Sequence, residues 1–275
     1  MTGGRLEDQI WVNGELLPAN QANISISDRG FSLGDGLFET MLWDGGAIRF
    51  LDDHMARLSR SADALDFILP DCFADIGAGL RVLAQNAAAT KAVIRLTLSR
   101  GTGPRGLSLP SPAAPQLIAT IAPFFSPTKP ASLKTVAITR NVGAPSSRFK
   151  SLSYMDNIVA LRDAKALGAD EALMLGSTGN IACASSANVI IRLKGVNLTP
   201  ALSDGALPGI VRGRLIQAGL VEEAHVSPAQ IADCQSGVLT NALIGVREIA
   251  NVDGHPFLNE LGWISALNAA LTKSG

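Results

Sequence analysis

Several residue types that define whole classes of protein are scarce in this chain. Its three cysteines, Cys72, Cys183 and Cys234, are odd in number, far apart and never spaced Cys-x-x-Cys, so neither a disulfide framework nor a zinc site is indicated. His54, His225 and His255 are equally scattered, and no metal site follows from ligand counting. Charge of one sign is missing too: the formal net charge is -1 and no long Lys/Arg run occurs, which removes the electrostatic footprint of a nucleic-acid or anionic-membrane binder. No uncharged apolar run reaches membrane-spanning length, and Met1 to Gln9 is polar with no signal-peptide core, so a cytoplasmic protein is expected. Internal repeats are absent, and the one low-complexity tract is the alanines at 87 to 89.

What the chain does have is apolar content. At 275 residues and 47% hydrophobic it can fill one large domain or two modest ones. Strand-like runs flank the turn dipeptide Asn13-Gly14, and another run from Gly36 to Trp43 resumes at Ala47 to Phe50 after Asp44-Gly45-Gly46. Met55, Leu58, Ala62 and Leu65 recur at helical spacing, with Asp52 or Asp53 suited to the first turn. Strands are expected at 92–98 and 116–121, then at 133–139, 171–175 and 188–193. Helices are expected at 154–167, with Tyr154, Ile158 and Leu161 on one face and Gly168 beyond its end, and at 210–218. The prolines and small residues of Pro123 to Pro130 break all periodicity. The reading is an α+β protein of two domains: a smaller N-terminal one over 1–122, a linker over 123–131, and a larger, cofactor-binding one over 132–275.

Two segments carry the chemistry. One is Arg148-Phe149-Lys150-Ser151-Leu152-Ser153-Tyr154, directly before a helical run, and the other is Gly179-Asn180-Ile181-Ala182-Cys183-Ala184-Ser185-Ser186-Ala187-Asn188. Together they resemble the centre of the fold type IV pyridoxal-phosphate enzymes, the class IV aminotransferase family, which holds branched-chain and D-amino-acid aminotransferases and 4-amino-4-deoxychorismate lyases. The resemblance implies pyridoxal 5′-phosphate as cofactor and Lys150 as the catalytic residue that carries it, an amine kept neutral near pH 7 by apolar neighbours or a nearby cation. Tyr154, the one tyrosine of the chain, then matches the residue whose phenol reaches the ring oxygen of the cofactor. Arg57, in His54-Met55-Ala56-Arg57, resembles the family's phosphate-binding arginine. Leu207-Pro208-Gly209-Ile210-Val211-Arg212 opens a helix, so the N–H groups of Ile210 and Val211 can face a phosphate; the family often has Thr where Val211 stands. The Thr240 hydroxyl is a further donor.

Cys183 departs from the pattern, which has Glu facing the pyridine nitrogen at this place. A thiol, whose ordinary pKa is about 8.5, holds a proton for that nitrogen poorly, which weakens the ring as an electron sink and favours expulsion of a leaving group over transamination. Arg100-Gly101-Thr102-Gly103-Pro104-Arg105-Gly106 contains Gly-x-Gly-x-x-Gly after a strand, but Leu107-Ser108-Leu109-Pro110 cannot open the helix that a dinucleotide site requires. It resembles instead a substrate loop in which Arg105 binds a carboxylate. Phe38 and Leu107 stand where D-amino-acid aminotransferases place a tyrosine and a histidine. Asp28 to Thr40 and Thr240-Asn241-Ala242-Leu243 are more similar to the lyases, making Phe38 and Asn241 substrate-side candidates. The resemblance thus implies a homodimer acting on a small amino or carboxylate substrate, a lyase releasing pyruvate to leave 4-aminobenzoate for folate synthesis. An aminotransferase for D-amino or branched-chain amino acids and a non-catalytic pyridoxal-phosphate-binding dimer stay open as alternatives.

Overall fold

The computed structural model describes residues 8–258 and 261–272, which divide into two compact units. The first comprises Met1–Phe125 and Lys150–Ser153, the second Ser126–Phe149 and Tyr154–Gly275. Lys150 to Ser153, expected within the C-terminal domain, group with the first unit instead. The cause is backbone pairing, described below.

In the first unit, β1 (Gln9–Val12), β2 (Glu15–Pro18), β3 (Gly36–Asp44), β4 (Ala47–Ile48), β5 (Lys91–Ser99) and β6 (Gln116–Pro123) form a sheet in the order β2-β1-β6-β5-β3-β4. Neighbours are antiparallel throughout. Period-2 alternation is clearest in β5, where Ala92, Ile94, Leu96 and Leu98 are buried while Arg95 on the other face is exposed. Short α1 (Arg29–Leu33) begins at Asp28, whose carboxylate accepts from the Phe31 N–H at 3.1 Å. Helix α2 (Leu51–Ala64) packs on β3 and buries Leu58 and Ala62, but also His54, Arg57 and Ser61. Helix α3 (Ile76–Asn86) lies against β1, where a Cβ at Gly79 would sit 2.4 Å from the Trp11 indole nitrogen.

The second unit contains α4 (Pro145–Arg148), α5 (Met155–Ala166), α6 (Ile210–Gln217), α7 (Leu261–Thr272) and a second sheet. Its strands are β7 (Ala131–Thr135), β8 (Glu171–Leu175), β9 (Ile181–Ala184), β10 (Asn188–Leu193), β11 (Val196–Pro200), β12 (Glu222–Ala224), β13 (Cys234–Asn241), β14 (Gly245–Val252) and β15 (His255–Pro256). The order is β12-β11-β10-β13-β14-β7-β8-β9, with β15 on β14. Leu133, Leu173, Val189, Ile191, Leu239 and Ile249 build its core. The strand expected at 133–139 starts two residues earlier and ends at Thr135, where Asp253 takes the Thr135 amide and hydroxyl. Helix α5 turns the small residues Ala160 and Ala164, with Asn157, toward β8, leaving Met155 and Ile158 exposed. No helix among the described residues is long and apolar enough to cross a membrane.

Candidate active site

Lys150 is positioned by a strand-like graft onto the start of β3. The Phe38 N–H donates to the Lys150 carbonyl at 2.9 Å, the Leu152 N–H to the Gly36 carbonyl at 2.9 Å, and Leu37 bridges Ser151 antiparallel. Gly36 makes the approach possible, since a Cβ there would meet Leu152 Cδ1 at 2.5 Å and the Leu98 carbonyl at 2.7 Å. The lysine Nζ lies 4.2 Å from the Phe38 ring centroid, and the Arg95 guanidinium 3.8 Å from the same centroid. Register explains the second contact: Phe38 faces Thr97 across the ladder, which puts Arg95 diagonally beside it on the same face.

Beneath this lies a buried ionic cluster. Glu39, on β3, is 1% exposed and accepts from Arg57 Nε at 2.8 Å and Arg57 Nη2 at 2.5 Å, while His54 Nδ1 sits 2.7 Å from its second oxygen. Burial acts to raise the Glu39 pKa, but the bonds from Arg57 and His54 prevail and hold it down to about 2. Burial pushes the His54 pKa down, against the pull of Glu39, so the ring is neutral near pH 7. Its Nε2 has no hydrogen-bond partner among the described residues. Burial is also the chief cause that brings Lys150 down to about 7; Arg57 and Arg95 push the same way and Glu39 opposes them. The first unit thus holds an amine poised between neutral and charged at physiological pH, beside fixed counter-charges.

Arg105 sits in the exposed loop after β5, and its guanidinium makes no hydrogen bond or ion pair among the described residues. The site candidates of the first unit, Lys150, Arg57, Phe38 and Arg105, fall on two features: the first three cluster and the fourth stands on this loop.

In the second unit Cys183 lies on β9 opposite Met174, packed among Val136, Ala160, Ala164, Ala172, Met174 and Ala182. Burial pushes its thiol up to about 11; the charge of Arg140 works against this and that of Glu171 with it. The thiol is therefore neutral. Arg140, itself buried, donates Nη1 to Asn157 Oδ1 at 3.0 Å and Nη2 to the Ser146 carbonyl at 2.9 Å, while its Nε has no partner among the described residues. Glu171 is engaged elsewhere, accepting from the Ser185 and Ser186 hydroxyls and, at 2.8 Å, from the Ala172 N–H.

Helix α6 starts at Ile210 with Gly209 as N-cap and no side-chain cap, so its first N–H groups are left for an external acceptor. A Cβ at Gly209 would lie 1.9 Å from Asn188 Oδ1, whose amide fixes the Leu207 carbonyl at 2.9 Å. Asn188 pairs with Thr240 across β10 and β13, and α6 packs on β13. The Thr240 hydroxyl is fully buried with no partner among the described residues. An orphaned hydroxyl and an uncapped helix N-terminus, drawn together by one Asn188, fit a phosphate group. Val211 supplies a backbone N–H alone. Tyr154, half-buried, is the N-cap residue of α5. Asn241 is less available than expected: its Oδ1 accepts from the Leu243 and Ile244 N–H groups at 3.0 and 2.9 Å and its Nδ2 donates to the Ser186 carbonyl at 3.1 Å, so its amide serves the β13–β14 turn.

Glu39, His54, Arg95 and Arg140 were missed in the sequence. One signal was present: His54 and Arg57, three apart, share the helical stripe of Leu58 and Ala62, which places two polar groups on the buried face.

The first unit thus holds a neutralisable lysine beside a buried carboxylate–arginine pair, and the second an orphaned hydroxyl near an open helix N-terminus. Residues 36–252 match the amino-transferase class IV family, and the chain belongs to it. Members of this family depend on pyridoxal phosphate, and the fold is fold type IV. Aminodeoxychorismate lyase of Bacillus subtilis is 31% identical over 219 residues, covering 76% of this chain and 72% of that protein. D-Alanine aminotransferase of Bacillus licheniformis is 27% identical over 256 residues, covering 90% of this chain and 89% of its own length. The crystal structure of a putative 4-amino-4-deoxychorismate lyase from Legionella pneumophila superposes with a TM-score of 0.87 at 30% identity, covering 93% of this chain and 96% of that one.

Proposed function

We propose that this enzyme is a 4-amino-4-deoxychorismate lyase, releasing pyruvate to leave 4-aminobenzoate. The observation that carries the reading is Cys183: a neutral thiol in an apolar cluster stands where the family pattern has a carboxylate. Bound pyridoxal phosphate supplies an electron-accepting ring. Arg57, the Thr240 hydroxyl and the N–H groups of Ile210 and Val211 would hold its phosphate, Tyr154 would serve its ring oxygen, and Cys183 would be the partner of its nitrogen. Lys150 would carry the cofactor, and its free amine would take the proton from the substrate carbon bearing nitrogen; its pKa near 7 suits an amine that must be neutral to accept it. The carbon–oxygen bond to the enolpyruvyl group breaks as the substrate ring becomes aromatic, and Lys150 returns the proton to the departing enolpyruvate, giving pyruvate. Arg105 holds a substrate carboxylate, with Phe38 against the substrate ring. Two copies of the chain form the working cytoplasmic dimer.

Aminotransfer to D-amino or branched-chain acids is the competing reading, favoured by the similarity to D-alanine aminotransferase over most of both chains. A pyridoxal-phosphate-binding dimer without catalysis is a weaker one, because the Lys150 environment is that of a working amine. Incubating the purified protein with 4-amino-4-deoxychorismate, and separately with D-alanine or valine and a keto acid, decides among them. Pyruvate and 4-aminobenzoate in equal amounts are expected; brisk aminotransfer with no pyruvate release would overturn the lyase reading.

A further inference from the structure

Residues 104–109 are an exposed stretch of loop, yet a single buried side chain reaches under it. Arg29, 4% exposed at the start of α1, donates Nη1 to the Gly106 carbonyl at 3.0 Å and the Ser108 carbonyl at 3.2 Å, and Nη2 to the Leu107 carbonyl at 3.4 Å. Three consecutive carbonyls immediately after Arg105 thus converge on one guanidinium. Its Nε donates to Asp35 Oδ2 at 2.8 Å, and Asp35 is held in turn by Arg100 Nε at 2.9 Å. Arg100 is itself fixed by the Leu65 and Asp66 carbonyls at 3.0 and 2.7 Å and by stacking 3.7 Å from the Phe67 centroid.

The entry side of the loop is tied to the same place. The Arg29 N–H donates to the Gly101 carbonyl at 2.9 Å, Asp28 bridges Thr102, and a Cβ at Gly103 would lie 2.9 Å from Arg29 Cδ. Ser99 donates to the Asp28 carboxylate and accepts from the Gly101 N–H at 2.8 Å. Both strands of the loop are therefore gathered by residues 28 and 29, and Arg105 is the apex.

We propose that Arg29 is a positioning residue for substrate recognition: by clasping the carbonyls of Gly106, Leu107 and Ser108 it sets the direction in which Arg105 is presented to a substrate carboxylate. The inference rests on reading Arg105 as the carboxylate-binding residue. A planar fork is needed, because a lysine at position 29 keeps the charge opposite Asp35 but cannot serve three carbonyls along one edge. Losing the clasp leaves Arg105 in place and costs the ordering of its loop at each binding event, which weakens substrate binding more than turnover.

The test compares the parent with Arg29→Lys, Arg29→Gln and Arg105→Leu. The substrate is 4-amino-4-deoxychorismate, or D-alanine with a keto acid if the parent transaminates instead. Amide hydrogen exchange over 101–109 reports loop order, and steady-state kinetics report KM and kcat. Arg29→Lys, which retains the ion pair and hence the fold, is expected to exchange faster in this peptide and no faster elsewhere in the first unit. Its KM should rise on the order of tenfold or more at nearly unchanged kcat, with the cofactor spectrum unmoved. Parent-like exchange and KM in Arg29→Lys overturn the proposal. If Arg105→Leu raises KM while Arg29→Lys does not, the positioning role alone falls. If Arg105→Leu leaves KM unchanged, or the parent is inert with both substrates, the Arg105 reading falls and the proposal with it.

Discussion

The Lys150 amine rests 4.2 Å from the centroid of the Phe38 ring, and the main chains of the same two residues are hydrogen-bonded at 2.9 Å. One residue of β3 therefore fixes both ends of the candidate catalytic lysine. The first prediction concerns its chemistry. Borohydride reduction of the yellow holoenzyme should fix the cofactor to the peptide containing Lys150. Because the Arg95 charge helps hold the Lys150 pKa down, Arg95→Gln should move the pH profile of Lys150 carbamylation by cyanate in the apoenzyme upward from a midpoint near 7. Label on another lysine, or an unmoved profile, would remove the corresponding assignment.

A second expectation is thermodynamic. Lys150 titrates near 7 in the folded chain and at its ordinary value of 10.5 when exposed. Between those values the unfolded chain binds the extra proton, so stability rises with pH there. The difference in unfolding free energy between parent apoenzyme and Lys150→Met should accordingly shift in favour of the parent as pH increases from 7 toward 10. Urea titrations at pH 6, 8 and 9.5 read it; a pH-independent difference would mean the lysine is not desolvated.

Arg57 has two duties, and its substitution must separate them. Removing it leaves the Glu39 carboxylate buried without its main partner, so Arg57→Gln should destabilise the apoenzyme, while Glu39→Gln with Arg57→Gln recovers part of that loss. Both variants should bind pyridoxal phosphate more weakly by about 1.5–3 kcal/mol, roughly 10- to 150-fold in Kd. Parent-like affinity in the double variant would confine Arg57 to holding Glu39.

Thr240→Val offers the reverse pattern. The hydroxyl is buried and unpartnered among the described residues, so its loss should leave apoenzyme stability unchanged or raise it by up to about 1 kcal/mol. Cofactor affinity should fall by roughly tenfold. A stability loss at unchanged affinity, measured by thermal melts and cofactor titration, would assign the hydroxyl to the fold.

Cys183→Glu puts a carboxylate among apolar neighbours, with Arg140 the cation acting on that position. The variant should raise pyridoxamine-phosphate formation relative to pyruvate release, because a charged partner favours a protonated pyridine nitrogen. An unchanged ratio would separate Cys183 from the ring nitrogen altogether.

Alternation in β5 and helical spacing in α2 pointed to those elements because each has one regular apolar face, whereas β8 and β10 read as short apolar runs and are buried on both faces. Helix α3 escaped because Gly77 and Gly79 dilute its propensity, although Gly79 is there to admit Trp11. The resemblance marked Lys150, Arg57 and Thr240 as site residues. It could not reveal that Arg57 is bound to Glu39, which needs the register of α2 against β3, nor that Arg95 stacks on Phe38, a diagonal relation across a ladder between residues far apart in the chain. Asn241 illustrates the opposite failure: its type suits substrate contact, but a local turn claims its side chain.

The graft of residues 150–152 onto β3 has a consequence for biosynthesis. A ribosome releasing the chain exposes β1 to β6 some twenty-five residues before the last piece of that unit, and the intervening stretch belongs to the other. The first unit cannot finish folding on emergence, and no single cut yields a fragment in which Lys150 and β3 are joined without Ser126–Phe149. Fragment complementation, or a circular permutant opened within 126–149, would expose this interleaving as a kinetic delay in acquiring the reactive lysine.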